Sequence, residues 1–283
     1  MTTKIICPLY NGEKYINGLI NSITMQKKVN IKETLFVLTE TNDNSEEILK
    51  KNKAVYVKIK PSEFSHSLTR ETFALKSNTD IVVFITQDIV IEDELWLYNL
   101  TKNIGKNNIA AAFSRQISKY NNLEKYTREK NYPESSRVVS KADIDTLGLN
   151  TFFFSDAAAA IDLKIFKKLK GYDGKKLPIS EDMYYAYKLI MNDYKIEYAA
   201  DSIVYHSHNF TLKQLYDRYK LTGKFFKQNS YLDQYGTNKS GGGLAKYILK
   251  RAIQDKNIKV IFRFIPDMAA RFIGMKVGKW HEK

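Results

Sequence analysis

The chain has 283 residues, 43% hydrophobic and 27% charged, which is the composition of a folded protein and excludes intrinsic disorder. That length suits one large domain or one domain with an appendage, and the second is expected here. The formal charge of +14 is unevenly placed, since Thr211 to Lys283 holds sixteen Lys or Arg against five Asp or Glu, so a uniformly basic protein is excluded.

Met1 leads straight into a strand-like segment without a basic stretch followed by a long apolar run, so no secretory signal is visible. No window reaches the roughly 18–20 uninterrupted apolar residues of a spanning helix, and the chain is expected in the cytoplasm. Cys7, the single cysteine, makes no internal disulfide, which fits a reducing compartment. It reads as a small buried apolar residue on a strand.

Thr3–Cys7 is a short apolar strand closed by Pro8 and the turn Asn11-Gly12. Ile16, Leu19, Ile20 and Ile23 recur at helical offsets. Leu35–Leu38 is a second strand, Asn42–Ser45 a polar turn, Glu46–Lys51 a short helix and Ala54–Ile59 a third strand. A loop after Pro61 leads to a helix over Leu68–Lys76. The run Ile81–Ile85 is apolar at every position, as a strand covered on both faces requires. Strands alternating with helices predict an α/β sheet whose sites gather at the carboxyl ends of the strands, where Tyr10, Thr39–Asn44 and Gln87-Asp88 fall.

The second half is less regular. Ile109–Phe113 reads as a strand, Ser118–Ile144 as a mobile polar loop with helical pieces, and Thr151–Ile161 as an extended buried segment. Ser180 reads as a capping residue for a helix running to about Asn192. Ile196–Ala199 and Ser202–Tyr205 are two short extended pieces. Beyond Phe210 the texture becomes basic and aromatic helix, with Ser240–Gly243 as a hinge.

Four features can carry chemistry. Asp88, just past a buried strand, either holds a hard cation such as Mg²⁺ or Mn²⁺ or only starts a turn. Glu181 and Asp182 either complement a helix dipole or supply a base for a sugar hydroxyl; the dipole weakens such a base, while burial strengthens it. His206 and His208, two apart on an extended segment, share a face as ligands or as structural side chains. Phe64–Arg70 brings His66 and a cation to a helix start, where phosphate is favoured, or is merely a capped loop.

Together and in this order, these segments resemble the family 2 inverting glycosyltransferases, in the branch that contains bacterial rhamnosyltransferases. Ile6–Glu13 is similar to the opening strand and turn that cradle the nucleotide, and Phe64–Arg70 to the branch's Phe-x-His-x-x-Thr-Arg stretch. Thr86-Gln87-Asp88 resembles its version of the Asp-x-Asp metal motif. Phe154–Ala160 looks like the acceptor-side strand, Ser180-Glu181-Asp182 like the Glu-Asp motif, and Val204–His208 with Thr211 and Arg218-Tyr219 like the closing signature. The resemblance spans roughly residues 3 to 228, and Gly274–Lys279 looks familiar from cell-wall rhamnosyltransferases.

The resemblance implies a GT-A domain over 1–228 and a basic amphipathic helical extension over 229–283. It makes Asp182 the catalytic base, and gives the donor to Pro8, Tyr10, Glu13, Thr39, Glu40, His66, Arg70 and Gln87. It gives the acceptor side to Ser155, Asp156 and Glu181, and Mg²⁺ or Mn²⁺ to Asp88 with His206 or His208. Two departures stand out. The usual Asp after the second strand is replaced by Leu38-Thr39-Glu40, leaving base recognition to Thr39 or Glu40, and Thr86 replaces the first Asp of Asp-x-Asp. The implied reaction is inverting transfer from dTDP-L-rhamnose to a lipid-linked cell-surface glycan.

In the tail, Ile248, Leu249, Ile253, Ile258, Val260, Ile261, Phe262 and Phe264 alternate with Lys and Arg. That composition suits either an anionic bilayer, on the inner face of the cell membrane, or packing on the catalytic domain. A UDP-sugar donor, a non-catalytic sugar-nucleotide-binding protein and a nucleic-acid-binding protein are the competing readings. No zinc, helix-turn-helix or RNA-binding signature speaks for nucleic acid, which is not an expected partner.

Overall fold

The computed structural model describes residues 1–280, with the side chains of 237–241 outside that description. In chain order the first half forms β1 (Thr2–Leu9), α1 (Glu13–Thr24), β2 (Asn30–Thr39), α2 (Ser45–Lys51), β3 (Val55–Ile59), α3 (His66–Leu75), β4 (Ile81–Ile85) and α4 (Trp96–Thr101). Next come β5 (Ile109–Ile117), α5 (Leu123–Asn131), β6 (Arg137–Val139), α6 (Ile144–Leu147), β7 (Ala158–Asp162), α7 (Leu163–Lys168), α8 (Glu181–Met191) and β8 (Lys195–Tyr205). The chain closes with α9 (Leu212–Gln228), α10 (Thr237–Gln254) and α11 (Ile258–Trp280).

The strands make one eight-stranded sheet in the order β3-β2-β1-β4-β7-β5-β8-β6. Its first four members are parallel, β5 pairs β8 in parallel, and β7 is antiparallel to both β4 and β5. Helix α1 buries one apolar stripe, Ile16, Leu19 and Ile23, whereas α3 buries Ser67, Thr69, Arg70 and Glu71 beside Ala74. Residues of β4 alternate between two cores, with Ile81, Val83 and Ile85 facing one and Val82 and Phe84 the other. The uninterrupted apolar run therefore does mark a strand covered on both faces.

This topology positions the site. The carboxyl ends of β1, β2, β4, β5 and β8 line one edge of the sheet, and the reversal of β7 brings its amino end, with Ser155 and Asp156, to that same edge. An isolated antiparallel bridge between Val90 and Tyr205 then ties the loop after β4 to the end of β8, with two hydrogen bonds of 2.9 Å.

Several local expectations change. Residues 118–144 hold α5 and the edge strand β6, which pairs with β8. The two short pieces over 196–205 are one strand, with an irregularity opposite Ser114/Arg115. The extended segment expected over 151–161 begins as a 3₁₀ turn at Gly148–Phe152 and becomes a strand only at Ala158. Ser180 gives α8 no side-chain cap and lies at φ 60 in the left-handed region. The hinge expected at Ser240–Gly243 falls within the span of α10 and partly among the residues whose side chains are not described.

Helices α9 and α11 run side by side in the same direction. Arg263 meets Phe210 at one end and Lys279 covers Phe226 at the other. Glycine permits their close approach, since a Cβ on Gly278 would fall on the Lys220 carbonyl and one on Gly223 on the Met275 carbonyl.

Candidate active site

Three ligand groups converge where β4 and β8 end. Asp88, His206 and His208 each offer an atom, all lying within 4.8 Å of one another. His206 Nε2 is 3.4 Å from Asp88 Oδ1, and His208 Nδ1 is 3.7 Å from Asp88 Oδ2. The two-residue spacing on extended chain sets both imidazoles on one side, their centroids 4.8 Å apart.

A second layer fixes which nitrogen faces the cluster. Gln116 Nε2 donates to Ser155 Oγ at 2.8 Å, so Gln116 Oε1 is the acceptor for His206 Nδ1 at 2.9 Å and also for Arg128 Nη1. The His206 proton therefore sits on Nδ1 and the lone pair of Nε2 points at Asp88. That nitrogen is buried without a hydrogen-bond partner. A lone pair and a carboxylate oxygen facing each other repel unless a cation lies between them, which is the fit required of a metal site. Two imidazoles and a carboxylate suit a borderline divalent ion such as Mn²⁺ better than Mg²⁺.

The protonation states agree with ligation. Burial, then the neighbouring His206, pushes the His208 pKa down to about 4, and burial lowers that of His206 as well. Both rings are thus neutral at neutral pH, as ligands must be. Burial works against the Asp88 carboxylate, and it is positive charge at this place, from the imidazoles when they are protonated, that holds Asp88 below the usual carboxylate range; with the rings neutral, a bound cation would take over that part. Lys119 Nζ donates to the Asp88 carbonyl at 2.6 Å, fixing the loop from outside.

Across the crevice, three carboxyl groups share one guanidinium. Arg70 Nη1 lies 3.2 Å from Glu181 Oε1, with side-chain exposures of 3% and 10%, and also donates to the His66 carbonyl at 3.0 Å. Asp156 accepts from Tyr172 Oη at 2.5 Å, and its other oxygen is buried without a partner. Burial raises the Asp156 pKa to about 7 against the pull of Arg70. Asp182 is raised well above its ordinary value, by burial first and then by Glu181 and Asp156. A base with an elevated pKa at a sheet edge can accept a hydroxyl proton.

Residues assigned to the donor divide into two groups. Gln87 is engaged with the main chain of Tyr10, accepting from its N–H at 2.8 Å and donating to its carbonyl at 2.9 Å, so it clamps the ends of β1 and β4. Glu13 Oε2 accepts from the Asn44 main chain and side chain at 3.0 Å, while Asp43 and Ser45 take the amides of Glu13 and Gly12. These bonds weld the turn after β1 to the turn after β2. Pro8 lies within β1, and Thr39 closes β2 with its hydroxyl buried and unpartnered. Tyr10, Glu40 and His66 are exposed around this mouth. Arg70 is turned inward onto Glu181.

The sequence reading passed over Gln116, Lys119, Arg128, Tyr132 and Arg218 as site residues. Burial raises the Tyr132 phenol, and Asp182 adds to that shift, so Tyr132 belongs to the Asp182 side of the crevice. Arg218 lies 5.7 Å from the centroid of the Phe210 ring, which itself packs on His208. Gln116 and Lys119 follow the apolar half of β5, and only the pairing of β5 with β8 reveals their role. A cavity of about 770 Å³ opens outward from here, lined by Gln116, Lys119, Arg128, Tyr132, Tyr247 and Arg251 among others.

Comparison with known proteins places these features in context. Residues 4–170 match the model of glycosyl transferase family 2. The O-antigen chain rhamnosyltransferase WbaN of Salmonella anatum is 33% identical over 97% of this chain and 88% of its own length. RfbN of Salmonella typhimurium, also an O-antigen chain rhamnosyltransferase, is 30% identical over 99% of this chain and 90% of its own. Among solved structures, the mannosyltransferase PcManGT of Pyrobaculum calidifontis, in complex with GDP-Man and Mn²⁺, superposes with a TM-score of 0.66 at 13% identity. That match covers 99% of this chain and 88% of the other.

Proposed function

The chain belongs to glycosyl transferase family 2, and from that premise we propose that it is an inverting rhamnosyltransferase of GT-A fold. It would transfer L-rhamnose from dTDP-β-L-rhamnose to a lipid-linked O-antigen-type glycan at the inner face of the cell membrane. The carrying observation is the Asp88–His206–His208 cluster at the sheet edge, with the orphaned Nε2 of His206 facing the Asp88 carboxylate. The names of WbaN and RfbN support rhamnose over the competing UDP-sugar reading. The open cavity beside Tyr132 and Gln116 supports an extended glycan as acceptor.

In this reading Asp88, His206 and His208 hold a divalent cation, Mn²⁺ or Mg²⁺, which supplies positive charge against the departing diphosphate. Pro8, Tyr10, Glu13, Thr39 and Glu40 frame the nucleotide, with Gln87 clamping that frame. Asp182 takes the proton of the acceptor hydroxyl, whose oxygen attacks the anomeric carbon on the face opposite the diphosphate. The bond to the phosphate oxygen breaks with its electron pair staying on the diphosphate, so the anomeric centre inverts in one displacement. Ser155, Asp156 and Glu181 shape the acceptor side, with Arg70 holding Glu181. Residues 1–228 would carry the chemistry, and 229–283 would be the extension that folds back onto α9.

Replacing Asp182 with Asn tests the assignment. Turnover should fall by roughly 10²–10⁴-fold, while stabilisation of the protein by dTDP-rhamnose with Mn²⁺ in a thermal melt stays near that of the unsubstituted chain. Unchanged turnover removes Asp182 as the base, and no response to any nucleotide sugar removes the transferase reading.

A further inference from the structure

Helix α11 has two opposed faces. Val260, Asp267, Arg271, Gly274 and Gly278 are buried on one side. Ile258, Phe262, Ile265, Phe272, Ile273 and Trp280 are exposed, with Phe262, Ile265 and Trp280 at 80%, 75% and 81%. At about 100° per residue, those six side chains fall within an arc roughly 100° wide on the side away from the core face. A 23-residue helix spans about 34 Å, so this is a long continuous apolar strip. Strips of that kind on a protein surface mark an interaction site.

The charges around the strip identify what covers it. Lys259, Arg263, Lys276 and Lys279 are the cations of α11 outside its buried face. Its single acid, Asp267, is buried and bonded to Arg263 at 2.8 Å. The alternating steps of four and three from Ile258 through Phe262, Ile265, Ala269 and Phe272 to Lys276 would also suit a coiled coil with a second copy. That pairing would set Lys276 against its counterpart in the seam and basic flanks against basic flanks. An anionic bilayer reverses both objections, since Lys276 reaches headgroups over the Phe272 ring and the flanking cations meet negative lipid. No described helix is long and apolar enough to cross a membrane, so such a helix would lie on the surface.

We infer that this outward strip of α11 is a docking face for an anionic lipid bilayer. The inference refines the lipid-linked acceptor proposed above and rests on it for its biological sense. The same helix also touches the site, because Arg263 Nη2 donates to the Phe210 carbonyl at 3.0 Å, two residues beyond His208. The inner side of α11 and His208 line one pocket, so the docking strip lies on the side of the helix turned away from the ligand cluster.

The test uses the full chain and sucrose-loaded vesicles of equal parts phosphatidylglycerol and phosphatidylcholine, beside vesicles of phosphatidylcholine alone. The unsubstituted protein should sediment with the anionic vesicles and be released by salt. The double variant Phe262→Glu/Phe272→Glu should partition roughly 100-fold more weakly, about tenfold for each aromatic removed. Failure of the unsubstituted chain to bind, unchanged binding by the variant, or a dimer in solution that the variant dissolves overturns the inference, the last in favour of a second copy. Release of dTDP from dTDP-rhamnose in vesicle-free solution, measured on both proteins, should be equal. Absence of that release counts against the rhamnosyl reading alone and leaves the vesicle result standing.

Discussion

The shared guanidinium offers the sharpest test of how the site is built. Replacing Arg70 with Met keeps much of the side-chain volume but leaves Glu181 buried beside Asp182 and Asp156 without its counter-charge. Removing one partner of a buried ion pair costs about 3–5 kcal/mol, which in a chain of this size lowers the melting temperature by on the order of 10 °C. The kinetic consequence has a definite sign. Arg70 lowers the pKa of Asp182 while Glu181 raises it, so loss of Arg70 moves that pKa further up. A base works only when ionised, and the rate falls as pH falls through its pKa. The acid limb of the pH–rate profile should therefore shift to higher pH. Arg70→Met/Glu181→Leu removes both charges, and should regain most of the stability and return the limb toward its starting position. An acid limb that stays in place, or moves to lower pH, in Arg70→Met would refute both the coupling and the identity of Asp182 as the titrating base.

Two further outcomes follow from the packing. Gln116→Leu removes the acceptor that fixes the His206 tautomer, and Mn²⁺ affinity read by electron paramagnetic resonance should fall about 10–100-fold while the fold persists. Gly278→Leu drives a side chain into the Lys220 carbonyl, and urea unfolding should show a loss of at least ~1–3 kcal/mol. A stability equal to that of the unsubstituted chain would mean that α9 and α11 are not held in this close contact.

The parallel half of the sheet was legible because its strands carry apolar runs with helical segments between them. Ile81–Ile85 could be read as fully covered from five apolar residues alone, and the structure buries all five. Strand direction was not legible. Ala158–Asp162 carries no sequence mark of running against its neighbours, yet that reversal brings Ser155 and Asp156 to the edge where the carboxyl ends of the other strands lie. The strand over Lys195–Tyr205 looked broken because Ala200 and Asp201 fell between its two expected pieces; an irregular register accommodates them. Asp88, His206 and His208 were visible as candidates through residue chemistry, and their convergence depends on the Val90–Tyr205 bridge, which no local pattern announces. Gln116 looked like a polar residue near the end of a strand until its amide was seen joining Ser155 to His206.

The position of Asp182 sets two opposing effects against each other, and their sizes decide the outcome. A carboxylate in the first turn of a helix is stabilised by the macrodipole, by about 0.3–1 kcal/mol at an exposed site and up to about 2 kcal/mol when partly buried, which lowers its pKa and weakens it as a base. Here burial acts first in the other direction, and the adjacent Glu181 and Asp156 add to it. Arg70 relieves this only in part because its Nη1 lies against Glu181. Ser180 contributes through the backbone. Its left-handed conformation costs on the order of 1–2 kcal/mol for a residue with a Cβ, and it starts α8 without a capping hydroxyl. Strain at that point has no counterpart in a better-capped helix. It is accounted for if the turn exists to set Glu181 against Arg70 and Asp182 beside it, so that Asp182 is the carboxyl kept ready to bind a proton.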